Sequence, residues 1–149
     1  MKNLIFARRS LLSPSTVVLL LRLVLGLVFF MHGAQKVLGW YGGGGLDGTV
    51  NFMGSMGVPP ILAYVSSFWE FLGGIGLILG FLTRIWSAGL AINMLVAIIL
   101  VHSGFFVSEG GIEFALTLMV IAIAVFLMGP GRYSVDHAIG TNARPSDHY

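Results

Sequence analysis

The chain has 149 residues, of which 56% are hydrophobic and 9% are charged, with a formal net charge of +2 and no cysteine. Soluble globular domains carry roughly 25% charged residues, so this composition excludes a soluble fold and indicates one polytopic, all-α membrane domain. The missing cysteine excludes disulfides, thiol catalysis, covalent haem attachment and cysteine-ligated iron–sulfur clusters; the small basic excess is no nucleic-acid footprint, and no metal site is expected.

Taken in chain order, four apolar runs approach the roughly 20 residues that a spanning helix needs. The first covers about 15–38. "MKNLIFARRS" precedes it and resembles a signal-peptide n-region, but the run is long and no A-x-A-like site closes it, so an uncleaved span is expected. A Gly-rich link follows. Within it Gly43, Gly45 and Gly48 match G-x-G-x-x-G, yet no strand precedes them and a dinucleotide site is rejected. Asp47 is expected to cap a short interfacial helix with Val50, Met53 and Met56 facing the bilayer, and Trp40 and Tyr41 suit the headgroup layer. The second run covers about 59–82, opens on Pro59-Pro60 and contains "EFLGGIGLILG". Gly73, Gly76 and Gly80 there form a smooth face for internal packing or, alternatively, self-association. The third run covers about 83–102 and the fourth about 112–128. "GPGR" stops the last, and 137–149 reads as a polar tail beyond a membrane domain of 1–136.

Basic residues set the expected orientation. Lys2, Arg8, Arg9, Arg84, Arg132 and Arg144 share one side if there are four spans, which places both termini in the cytoplasm.

Charges within apolar helices are costly and therefore informative. "LLLRLVLGLVFFMHGAQK", Leu19 to Lys36, contains three cationic or titratable residues. At about 1.5 Å rise per residue, Arg22 lies ~10 Å from the cytoplasmic surface, Asn93 ~15 Å and Glu70 ~18 Å. An Arg22–Glu70 ion pair assisted by Asn93 is expected, either as a docking device or with Glu70 as a proton carrier. A second group gathers at the opposite face: His32 and Lys36 at i, i+4 spacing, His102 and Glu113, with Gln35 and Trp69 nearby. Lys36 is expected to snorkel to the headgroups while His32 points toward His102 and Glu113. Taken singly these are ordinary structural residues. As a set they suggest a ligand or proton-handling site.

"RLVLGLVFFMHGAQKVLGW" with its Gly-rich link, "WEFLGGIGLILGFLTR" and "GPGRYSVD" together resemble the DoxX family of membrane proteins over about 22–136. The matching positions are Arg22, His32, Gly33, Lys36, Glu70, Gly73, Gly74, Arg84 and Arg132. The resemblance implies a small four-helix bundle of the bacterial inner membrane. Related DoxD proteins are the membrane part of thiosulfate:quinone oxidoreductases, and MauE-type relatives support enzyme maturation. The second half of the DoxD/DoxA pair is absent here.

The expectation is therefore a subunit of a quinone-linked redox system working beside other membrane or periplasmic redox proteins. Quinone carbonyls suit His32, Lys36 or His102, with Glu70 or Glu113 as proton carrier. The alternative is a non-catalytic scaffold that recruits or stabilises a partner complex. A b-type haem on His32 and His102 ranks last, because two histidines at similar depth are a thin signal.

Overall fold

The structure is a computed structural model and describes residues 11–142. Lys2, Arg8, Arg9 and Arg144, four of the cations behind the orientation argument, lie outside the described residues, as does the end of the expected tail. The described residues form helices and no strand. In chain order these are α1 (Pro14–Leu38), α2 (Gly45–Ser55), α3 (Pro60–Leu79), α4 (Thr83–Leu100), α5 (Glu113–Met128) and α6 (Val135–Asn142). Short 3-10 turns occupy Trp40–Gly42 and Val107–Glu109.

Local chemistry explains the boundaries. Ser13 caps α1, its hydroxyl accepting from the Thr16 N–H at 3.2 Å, and Pro14 stands where a missing N–H does no harm. Gly80 ends α3 with φ of 69°, and the Phe81 N–H turns back to the Gly76 carbonyl at 2.9 Å, a Schellman-type closure. Helices α1, α3 and α4 are each long and apolar enough to cross a membrane. The fourth apolar helix, α5, has 16 residues; at about 1.5 Å per residue it is ~24 Å long, short of a ~30 Å hydrocarbon layer.

Helix α6 lies across the expected boundary between 136 and 137, and the 129–136 segment that precedes it is bonded to the bundle, as described below.

Packing explains the glycines. Gly33 lies against the Phe71 backbone, Gly74 against the Phe30 backbone, and a Cβ on Gly26 would stand 2.8 Å from the Gly74 carbonyl oxygen. Helices α1 and α3 thus meet backbone to backbone, the contact that small residues permit. Turned by about 100° per residue, Gly73 and Gly76 face α4 instead, against Leu90 and Trp86. The glycine face of α3 is used inside the bundle, which removes it as a self-association surface. Leu90 and Met94 of α4 pack with Ala115, Leu118, Ala122 and Val125 of α5, completing the core with Leu25, Phe29 and Leu77.

Candidate functional site

Arg22 and Glu70 are both buried, at 1% and 3% exposure, and they are not partners. This corrects the expected ion pair. Arg22 donates Nε to the Leu77 carbonyl at 3.0 Å, Nη2 to Ile78 at 3.3 Å, and Nη1 to Pro130 at 2.5 Å and Tyr133 at 3.0 Å. Two of these acceptors belong to the last turn of α3, where helix carbonyls lack intrahelical donors and the helix dipole is negative. The other two belong to the "GPGRYS" segment. The fork of a guanidinium suits several carbonyls at once. Close by, Asp136 accepts from the Leu82 and Thr83 N–H groups, each at 2.8 Å, and so caps α4. This end of the bundle is a structural clasp.

Glu70 instead accepts from Lys36 Nζ at 2.7 Å and from Asn93 Nδ2 at 2.8 Å, both on Oε1. Asn93 is held in turn by the Ser66 hydroxyl, which donates to its Oδ1 at 2.8 Å. Lys36 therefore turns inward, at 30% side-chain exposure, where snorkelling was expected. The reason is directional. Helical side chains lean toward their own N-terminus, and α1 and α3 are antiparallel. Lys36 is thus carried into the bundle toward Glu70, Glu70 is carried toward Lys36, and Arg22 is carried away from both. Depths counted along Cα positions omit this lean.

Glu70 Oε2 is buried and has no hydrogen-bond partner among the described residues. Glu70 lies in the wall of a cavity of about 490 Å³ bounded by α1, α2, α3, α4 and α5. Small-molecule sites span about 300–1,000 Å³. Its walls are mostly apolar: Phe29, Met94 and Leu118 from the core, Phe52 and Met53 from α2 and Met56 just after it. The polar lining comes from His32, Gln35, Lys36, Thr49, Ser66, Glu70, Asn93 and His102.

Several members of the expected set sit differently from the expectation. His32 lines the cavity from an exposed position at its rim, its ring 6.0 Å from that of Phe114. His102 lines it too. Its Nδ1 bonds the Ala97 carbonyl at 2.9 Å; a carbonyl only accepts, so Nδ1 carries the proton and Nε2 keeps a lone pair in the neutral ring. Glu113 is not part of the cavity wall. Its carboxylate accepts from the Val107 N–H at 2.7 Å and ties the α4–α5 link to the first turn of α5, because that link folds back over the helix start. Trp69 lines a neighbouring cavity.

Helix α2 also departs from expectation. Met53 and Met56, expected to face the bilayer, line the cavity. Asp47 lies inside the first turn with Gly44 at the cap position and makes no capping bond, since the helix begins at Gly45. Ser66 and the methionines of α2 are site residues that sequence reasoning missed. Ser66 stands about one helical turn before Glu70, but a lone serine in an apolar helix gives no signal of its own, and apolar methionines beside a membrane read equally well as lipid-facing.

Comparison with known proteins agrees with this architecture. The DoxX family model matches residues 17–103. The chain is 35% identical over 120 residues to the "Putative oxidoreductase CatD" of Bacillus subtilis, covering 79% of this chain and 83% of that protein. It is 30% identical over 124 residues to the "Inner membrane protein YqjF" of Escherichia coli, covering 82% and 91%. No solved structure matches it. A membrane-type helical chain with both the matched region and these relatives belongs to the DoxX family.

Proposed function

We propose that the chain is a small inner-membrane subunit of a redox system that holds a quinone or quinol ring in the cavity beside Glu70. The observation that supports this most is a buried carboxylate oxygen without a partner among the described residues, in the wall of an apolar cavity of ligand size. Buried polar atoms are otherwise paired in the great majority of cases, and an unpaired one at a cavity invites a ligand donor.

The residues present fit such a group. Phe29, Met94 and Leu118 offer apolar contact for a ring. Lys36 Nζ spends one hydrogen on Glu70 and retains further donors for a carbonyl oxygen. Asn93 and Lys36 both engage Oε1, which orients the carboxylate and leaves Oε2 to accept a hydroxyl hydrogen or a proton. His102, fixed through Nδ1, offers Nε2 as a second acceptor. When bound, a quinone would supply a two-electron, two-proton couple. The oxidoreductase name of the Bacillus subtilis relative favours this direction. The same reading takes α5 as a fourth span and places both termini in the cytoplasm, with Arg84 and Arg132 on that side. The second reading, a non-catalytic accessory subunit, has the clasp around Arg22 in its favour, because that feature is structural.

The test is equilibrium binding of a hydroquinone to the full chain in nanodiscs, beside quinone analysis of its lipid extract. Binding is expected in the wild type and a loss of at least tenfold in Glu70→Gln, with the fold retained. Absence of quinone from the extract together with no binding in the wild type would leave the accessory reading.

A further inference from the structure

The cavity beside Glu70 does not end at its own walls. A second cavity, of about 370 Å³, adjoins it between α3 and α4. Met53, Met56, Ser66, Asn93 and Val96 line both, so the Ser66–Asn93 hydrogen bond stands at their junction. Beyond that junction the second cavity is walled by Leu62, Val65 and Ile92. These side chains are 51%, 51% and 63% exposed, so this cavity reaches the apolar flank of the two helices. In a membrane that flank meets lipid tails.

The other sides are less suited to an apolar chain. Helix α2 covers the head of the first cavity with Phe52, Met53 and Met56. It is tethered there, because the Thr49 hydroxyl donates to the Lys36 carbonyl at 3.5 Å and Gly43 packs against the Gln35 backbone. The α1–α5 side carries His32 at its rim, a polar ring that an alkyl chain would desolvate.

We infer that the ligand of this site is a hydroquinone or quinone bearing a long apolar tail, whose ring lies beside Glu70 and whose tail leaves sideways between α3 and α4, past Ser66 and Asn93, into the bilayer. This rests on the quinone reading above and adds to it a class of ligand and a route. A small water-soluble phenol would leave the second cavity without a purpose. A tailed ligand uses both, with charged and polar contacts at the Glu70 end and a mostly apolar wall beyond the junction, where the Trp69 indole is the polar exception among the described residues.

The experiment uses the full chain in nanodiscs and two probes: a hydroquinone with a decyl tail that carries a diazirine near the ring, and the same ring with a methyl group in place of the tail. Photolabelling of the wild type is expected on Leu62, Val65 or Ile92. Ile92→Trp and Val65→Trp, at exposed apolar positions that accept a larger ring, are expected to weaken the decyl probe at least tenfold and the methyl probe less than twofold. Labelling on His32 or Phe114 would overturn the route, as would equal responses of both probes in either variant. If the methyl probe binds the wild type normally while the tail labels lipid only, the ring site stands and the tail route fails. If neither probe binds the wild type, the quinone reading fails and the tail route fails with it.

Discussion

Arg22 and Lys36 lie on one helix, and each reaches a buried oxygen, yet the two ends of the bundle solve different problems. Around Arg22 the charged groups are well matched: four of the guanidinium's five N–H donors meet backbone carbonyls, and Asp136 meets the Leu82 and Thr83 N–H groups at the start of α4, with the neutral Thr83 hydroxyl left over among the described residues. Around Lys36 the matching is incomplete: Glu70 Oε1 is doubly bonded while Oε2 is left over, beside a cavity. A cluster whose charged groups are satisfied rigidifies a fold, whereas one that leaves a charged oxygen unmatched is either a fault or a site. The contrast separates architecture from candidate function within a single chain.

The largest expected effect lies at the clasp. Arg22→Leu strands the carbonyls of Leu77, Ile78, Pro130 and Tyr133, and the expected loss is about 3–5 kcal/mol, the range for breaking a buried charged network. Unfolding of the purified chain in mild detergent would measure it. A loss below about 1 kcal/mol would make the clasp incidental.

Lys36→Met comes next, at about 1–3 kcal/mol, lower because the lysine is partly exposed and screened. Here a double-mutant cycle sharpens the comparison. Lys36→Met with Glu70→Leu should recover much of the single loss, since apolar replacement of both partners of a buried pair is often tolerated. Arg22→Leu with Glu70→Leu should show additive losses, because the two residues share no partner. Strong coupling between positions 22 and 70 would contradict the pairing described above.

Asp136→Ala should cost about 1 kcal/mol, the usual worth of an N-cap carboxylate. Faster exchange of the Leu82 and Thr83 amides would be its local signature. The smallest effect is expected at Asp47. It makes no capping bond, so Asp47→Ala should lose only the helix-dipole contribution, about 0.3–1 kcal/mol at low salt, and that loss should shrink as salt is raised. A salt-independent loss would point to a contact other than the dipole.

Much of this was legible from residue order alone. Membrane character, helical class and the apolar runs that became α1, α3 and α4 follow from hydropathy, because lipid forces backbone groups to be satisfied within each segment. The costly residues were legible too, since Arg22, Lys36, Glu70 and Asn93 stand out against an apolar background. That Glu70 and Asn93 meet followed from their depths along antiparallel helices.

Partner choice was decided only in three dimensions. Lys36 rather than Arg22 reaches Glu70 because side chains on antiparallel helices lean in opposite directions, a displacement that counting residues along the axis leaves out. Glu113 was withdrawn from the site by the fold of its own link, and Met53 and Met56 were turned into it by the docking of α2 over the bundle. The "GPGRYS" segment after α5 became a clasp because its backbone carbonyls found a buried guanidinium. Residue order by itself determined which groups could not remain bare in an apolar interior; the packing of the helices decided which of them were paired with one another and left one carboxylate oxygen of Glu70 without a partner among the described residues.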